Sequence, residues 1–329
     1  MGISWFFNSY PGMFIAQSFT HAFIAAIVVN RAIKAWRIRS PMVKQRFHYL
    51  VIMFPLVAFP VYNLINPARK ALAFRLGALF DVNRWLTIEI LGSIPGHLFF
   101  ILILAVTSLI FFFQEAFPII RHMFSSHHKT PGIFVSDDSA VADALASLAG
   151  EKPDFFVLDD DEILLYSTTG KNASIYLSRG LIQTLSFDEL QAALAHEIAH
   201  ITRNRKPHLL IVFLFRIVLF FNPVALVEFR RVVQEEEKIC DDIAVEKTGK
   251  PSVLAETLKK LYLPEKAPQK AITKDLRSVG STVEERSHRL LIQSRITRLE
   301  REREGEAGLS WLKFFTVAAV VAGINYFVV

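Results

Sequence analysis

Residues 185–204, LSFDELQAALAHEIAHITRN, decide the fold. Ser186 and Glu189 form an S-x-x-E capping box, which predicts a helix starting near Phe187. Inside it stand His196-Glu197-Ile198-Ala199-His200. Histidines at i and i+4 fall on one helix face, about one turn apart. Two imidazoles so placed can grip one Zn²⁺, and Glu197 between them can reach the water that such an ion activates. The motif is moderately specific and requires a third ligand and a fitting context.

Downstream, PHLLIVFLFRIVLFF (207–221) is apolar but short, and Asn222-Pro223 breaks it. VALVEFRRVVQEEEKICDDIAVEKTG (224–249) then predicts a second helix carrying the acids Glu235, Glu236, Glu237 and Asp241. A zinc enzyme with two histidines usually takes one further protein ligand and leaves a position for water. Upstream, residues 136–150 predict a helix whose Val141, Leu145 and Leu148 share a face. FFVL (155–158), ILLYS (163–167) and SIYL (174–177) predict a small sheet. Ser174, Ile175, Tyr176 and Leu177 are the expected exposed edge strand, to which a substrate peptide would add by backbone pairing. Residues 264–282 are polar and predict a loop. Residues 284–304 predict a charged helix with Leu291, Ile292, Ile296 and Leu299 as its apolar stripe.

The rest of the chain is membrane-like. It is 52% hydrophobic with 29 phenylalanines, more apolar than a soluble domain requires. The uncharged runs 13–29, 48–66, 90–113 and 314–329 each approach the roughly 20 residues that cross a bilayer as a helix. No positive residue precedes the first run and no small-residue cleavage site follows, unlike a signal peptide. Residues 31–46, RAIKAWRIRSPMVKQR, carry six cations and no acid, so the positive-inside rule puts them in the cytoplasm and the N-terminus outside. The loop 67–89 is then external, although its cations outnumber its acids; ARKALAFRLGALF (68–80) as an interfacial helix softens that conflict. The third span returns the chain to the cytoplasm, where the histidine motif sits. Basic flanks facing anionic lipid account for the net charge of +6 without any nucleic-acid partner. A single cysteine, Cys240, excludes an intrachain disulfide. Arg216 is expected to snorkel or to pair with Glu228.

HEIAH followed by EKICD resembles the HExxH…ExxxD pattern of membrane-bound gluzincin peptidases. Residues 175–201 are similar to the branch of heat-shock membrane proteases and CAAX-prenyl endopeptidases. Residues 221–242 are similar to the beta-lactam sensor-transducer peptidases, with their Pro-broken hydrophobic hairpin before E-x-x-C-D. The resemblance covers most of 130–300. It implies that Glu237 is the third zinc ligand, with Glu236 as a one-residue alternative, and that Asp241 orients a ligand histidine through its other ring nitrogen. It also implies an oxyanion donor in the segment Ser287-His288…Arg295-Ile296…Leu299: His288, or less closely Arg295. Cys240 matches a packing position of the family, which implies a small buried residue.

These readings give a mainly α, multi-pass helical membrane protein with a zincin-like α+β metallopeptidase domain and a small sheet. Residues 1–120 are expected to hold three transmembrane helices. Residues 121–308 would form the peptidase domain, including a re-entrant hydrophobic hairpin at 207–236, and 309–329 a last transmembrane helix. The hairpin follows from distance: His200 and Glu237 must meet at one metal, and two full crossings need about 40 residues plus a turn. The expected protein is a zinc endopeptidase of the inner (cytoplasmic) membrane with one Zn²⁺ and a site facing the cytoplasm. It would cut protein or peptide substrates as a signal-transducing or quality-control protease. In a signal-transducing role the expected sensor is a separate partner protein or the membrane itself, since the chain ends just after its last span. The alternative is a non-catalytic membrane scaffold or receptor with a structural metal.

Overall fold

The structure is a computed structural model that describes residues 6–7, 9–90, 92, 94–117, 134–135, 138–150, 152–168, 170, 172–204, 208–263, 289–301 and 310–329. In chain order the main elements are α1 (Tyr10–Ala35), α2 (Pro41–Ile65), α3 (Gly96–Phe111), β1 (Phe134–Val135), α4 (Ser139–Ala146), β2 (Asp154–Leu158), β3 (Leu165–Ser167) and β4 (Ser174–Ser178). Then follow α5 (Arg179–Thr184), α6 (Phe187–Asn204), α7 (His208–Val218), α8 (Pro223–Thr248), α9 (Pro251–Tyr262), α10 (289–299) and α11 (Ser310–Tyr326). By internal contacts the chain divides into two units.

The first unit comprises Met1–His127, His208–Glu236 and Glu306–Val329. It holds three helices long and apolar enough to cross a membrane: α1, α2, and α3 continued by one π turn to Ala116. Ser9 and Ser40 cap α1 and α2 by accepting from the backbone N–H of Gly12 and Val43. The third span begins at Gly96 rather than near residue 90, because Glu89–Ile90 pairs back on Ile94–Pro95 around Gly92, whose φ is 79°. α11 has 17 residues, short of the usual spanning length, and packs on α1 and α2. Tyr62 donates to Ala322 O (2.7 Å), and His21 meets Asn325 at 2.8 Å. In the loop after α2, Arg69 is buried and donates to the carbonyls of Tyr326 and Val328. Arg75 is bound by Asp81.

The break at Asn222-Pro223 is a helix start. Asn222 Oδ1 accepts from the N–H of Val224 and Ala225, and its amide donates to Ser18 O. The arm before it, α7, has 11 residues and so rises about 16 Å, half of a bilayer's hydrocarbon core. Both arms up to Glu236 group with the apolar unit. Buried polar side chains tie α8 to α2. His48 Nδ1 lies 2.6 Å from Glu228, and Gln45 donates to Glu236 at 2.7 Å. Arg231 bonds Glu228 at 2.6 Å and Asn30 at 3.1 Å. Glu228 is therefore engaged, and Arg216, fully buried, pairs with Glu115 at 3.4 Å and lies over the Phe111 ring.

The second unit comprises His128–Pro207 and Glu237–Gly305. Its sheet has the order β1-β2-β4-β3, with β2 and β4 parallel and the outer pairs antiparallel. Ile175 and Leu177 on β4 point into a core with Val141 and Leu145 of α4, Leu190, Leu194 and Ile198 of α6, Leu254 and Leu258 of α9, and Ile292, Ile296 and Leu299 of α10. Gly180 opens α5 against the backbone of Asp161, where a Cβ would come within 2.1 Å of the Asp161 oxygen, so only glycine fits.

The sheet corrects one expectation. Ser174–Leu177 is not an edge: Ser174–Ser178 pairs with β2 on one side and Ile175–Leu177 with β3 on the other. Both of its hydrogen-bonding sides are satisfied within the chain. Among the described residues the edge strands are the two-residue β1 and β3. Thr168 N–H bonds Ser174 O, and Ser178 N–H bonds Leu164 O. Antiparallel pairing alternates, so Leu164, Tyr166 and Thr168 face β4, while Leu165 and Ser167 turn their N–H and C=O outward.

Candidate metal centre

Within the second unit, α6 and the part of α8 from Glu237 onward supply the site. The capping box that starts α6 forms as the sequence suggests: Ser186 N–H donates to Glu189 Oε2 at 2.8 Å, and Lys260 of α9 also bonds that carboxylate. With this start fixed, Leu190, Leu194 and Ile198 enter the core at i, i+4 and i+8. His196, Glu197 and His200 stay partly exposed on the remaining face. α8 brings Glu237, and one turn on, Cys240 and Asp241.

His196, His200 and Glu237 gather their donor atoms within 4.8 Å of one another. The two Nε2 atoms are 3.1 Å apart. Glu237 Oε2 lies 3.5 Å from His196 Nε2, and Oε1 lies 3.5 Å from His200 Nε2. A tetrahedron drawn at zinc–ligand distances of about 2.0–2.1 Å has edges of roughly 3.3 Å, so this triangle fits one zinc ion. Two imidazoles and one carboxylate also match the borderline-soft character of zinc. Glu236 is not in this group; its carboxylate is held by Gln45, within the other unit.

Behind the triangle lies a charged frame. Asp241, fully buried, has Oδ1 3.2 Å from His196 Nδ1. That approach is close enough for ion-pair attraction but off the line of a good hydrogen bond, since His196 Nδ1 finds no aligned acceptor. Arg295 grips Asp241 with two bonds, Nε to Oδ2 (2.9 Å) and Nη2 to Oδ1 (2.6 Å), while Nη1 lies 2.9 Å from Glu237 Oε2. One guanidinium thus bridges two carboxylates, which suits its planar fork.

The electrostatics follow. Burial opposes charge on His196, but the carboxylates of Asp241 and then Glu237 outweigh it and push the imidazole up to about 9. Burial would raise Glu237, yet His196 and Arg295 hold it down to about 2. Asp241 is likewise held well below the ordinary carboxylate range, against its own burial, by His196 and Arg295. Arg295, despite burial, is held firmly protonated, first by Asp241 and then by Glu237.

Glu197 accepts a hydrogen bond from Ser167 Oγ on β3 at 2.6 Å. The edge strand β3 therefore abuts the carboxylate between the two histidines. Nothing in the ILLYS run marks Ser167 in advance, because a strand serine looks the same wherever it points. Cys240, expected as a packing residue, is buried and also has its sulfur 3.5 Å from His200 Nδ1. His288 lies outside the described residues. Arg295, the other expected oxyanion donor, directs its nitrogens at Asp241 and Glu237, and its Nη2 also lies 3.4 Å from His196 Nε2. Residues 167–279, about a third of the chain, match the family model described as BlaR1 peptidase M56, so the segment carrying the motif, Glu237 and their neighbours is similar to the M56 peptidases, in agreement with the sensor-transducer branch of the resemblance.

Proposed function

We propose that the protein is an integral-membrane zinc endopeptidase that hydrolyses peptide bonds of protein substrates at the cytoplasmic face of the inner membrane, in a regulatory or quality-control role. The observation that carries this reading is the His196–His200–Glu237 triangle with Glu197 beside it. A zinc ion held by those three residues would supply a Lewis acid that activates water and polarises the scissile carbonyl. Glu197 takes the proton of the attacking water and delivers it to the leaving amine. Ser167 holds one oxygen of Glu197 and so fixes the direction of the carboxylate. Arg295 keeps Glu237 ionised and oriented, and Asp241 takes the far side of His196. An extended substrate segment pairs with the outward N–H and C=O groups of Leu165 and Ser167, which gives affinity with little sequence preference. The cytoplasmic orientation is supported by the cations of residues 31–46. It is also supported by the ion pair of Arg75 with Asp81, which offsets one cation of the loop after α2.

The test uses the full chain in detergent or nanodiscs, loaded with zinc and offered a broad peptide library. Wild type should hold one zinc and cleave. Glu197→Gln should keep the zinc and lose about 10²–10⁴-fold in rate. A preparation that stays metal-free under zinc-replete conditions overturns the reading. If wild type binds zinc yet cuts nothing, the metal is structural and the protein is a scaffold.

A further inference from the structure

We propose that Cys240 is a positioning residue of the metal centre: its sulfur accepts the Nδ1–H of His200 and holds that ring with Nε2 turned toward Glu237. The inference rests on the zinc reading above and deepens it. Glu237, Cys240 and Asp241 stand at i, i+3 and i+4 of α8, which places them on one face. His196 and His200 stand at i and i+4 of α6. Each imidazole has its Nε2 toward Glu237 and its Nδ1 toward the next turn of α8. Under His196 that turn presents Asp241 Oδ1 at 3.2 Å; under His200 it presents Cys240 Sγ at 3.5 Å. A histidine that ligates metal through one nitrogen is oriented by what its other nitrogen meets. Sulfur is a weak acceptor, and 3.5 Å is a normal N–H···S separation. A thiol supplies this acceptor without adding a third carboxylate beside Glu237 and Asp241.

The experiment compares Cys240→Ser, Cys240→Ala and Cys240→Val in the full chain. Zinc affinity is read by chelator competition, and the ligand field by the visible spectrum after cobalt substitution. Serine retains an acceptor, so Cys240→Ser should bind zinc within about threefold of wild type with a similar cobalt spectrum. Cys240→Ala should lose about 10–100-fold in affinity and shift the cobalt bands. Cys240→Val fills the space without an acceptor and should behave as the alanine variant does; it carries the test if alanine does not fold. Unchanged affinity and spectrum in both Ala and Val variants would mean that Cys240 only packs, and would overturn the proposal while leaving the zinc reading intact. Failure of wild type to take up zinc or cobalt overturns both, and is distinct because it precedes any comparison of variants.

Discussion

At the scale of single residues, Asp241 is the most exposed to test because two partners depend on one carboxylate. Oδ1 faces both His196 Nδ1 and Arg295 Nη2, and Oδ2 takes Arg295 Nε. Asparagine would keep the shape but would turn an NH₂ toward a guanidinium that can only donate. Asp241→Asn should therefore weaken zinc binding by about 10–100-fold, read by chelator competition. It should also destabilise the fold by about 3 kcal/mol, read by thermal unfolding, since a buried cation loses a partner. A variant with wild-type affinity would show that His196 is oriented by something else. The histidines and the acid run were legible in the sequence because their spacing is a helical one. Arg295 was legible only as a position, and its actual partners were not: a cation 54 residues from Asp241 gives no local sign of bonding it.

At the scale of elements, the start of α6 governs the rotation of the histidines about the helix axis. Glu189 accepts from Ser186 and Lys260, so one carboxylate caps α6 and ties it to α9. Burial would raise its pKa, but the bonds from Lys260 and Ser186 outweigh this and hold it below its ordinary value near 4.5. A depressed folded pKa gives stability that is fully present above the ordinary value and is lost as pH falls through the folded one. Glu189→Gln should lower stability by about 1 kcal/mol near pH 7. The gap from wild type should shrink below about pH 4.5 as Glu189 protonates. A gap that does not change with pH in thermal melts would mean that the charge on Glu189 contributes nothing. The capping box was readable because it is local. The sheet order was not: the three runs are strands, but β2 returning parallel beside β4 is a long-range pairing, and it makes Ser174–Leu177 an inner strand with β3 outside it. Period and propensity identify a strand; only its neighbours decide which edge stays open.

At the scale of the whole molecule, hydropathy alone separates an apolar unit from a polar one, and three spans follow from composition. Hydropathy does not reveal what locks α8 among those helices. Glu228, 2% exposed, is bonded by His48 of α2 and by Arg231, which in turn bonds Asn30 of α1. A buried carboxylate that loses its cation is costly, whereas removing both charges together is often neutral. Arg231→Leu should therefore lower the unfolding midpoint, equivalent to about 3 kcal/mol, because Glu228 is left with His48 alone. Glu228→Leu added to Arg231→Leu should recover most of that loss, since it removes the buried carboxylate that had lost its cation. Thermal unfolding of the two variants and wild type in the same detergent measures this. If the double variant is less stable than Arg231→Leu, the ionic pair stabilises the bundle in its own right. In that case Glu228 holds α2 to α8 through His48 independently of Arg231, and the desolvation argument fails at this site.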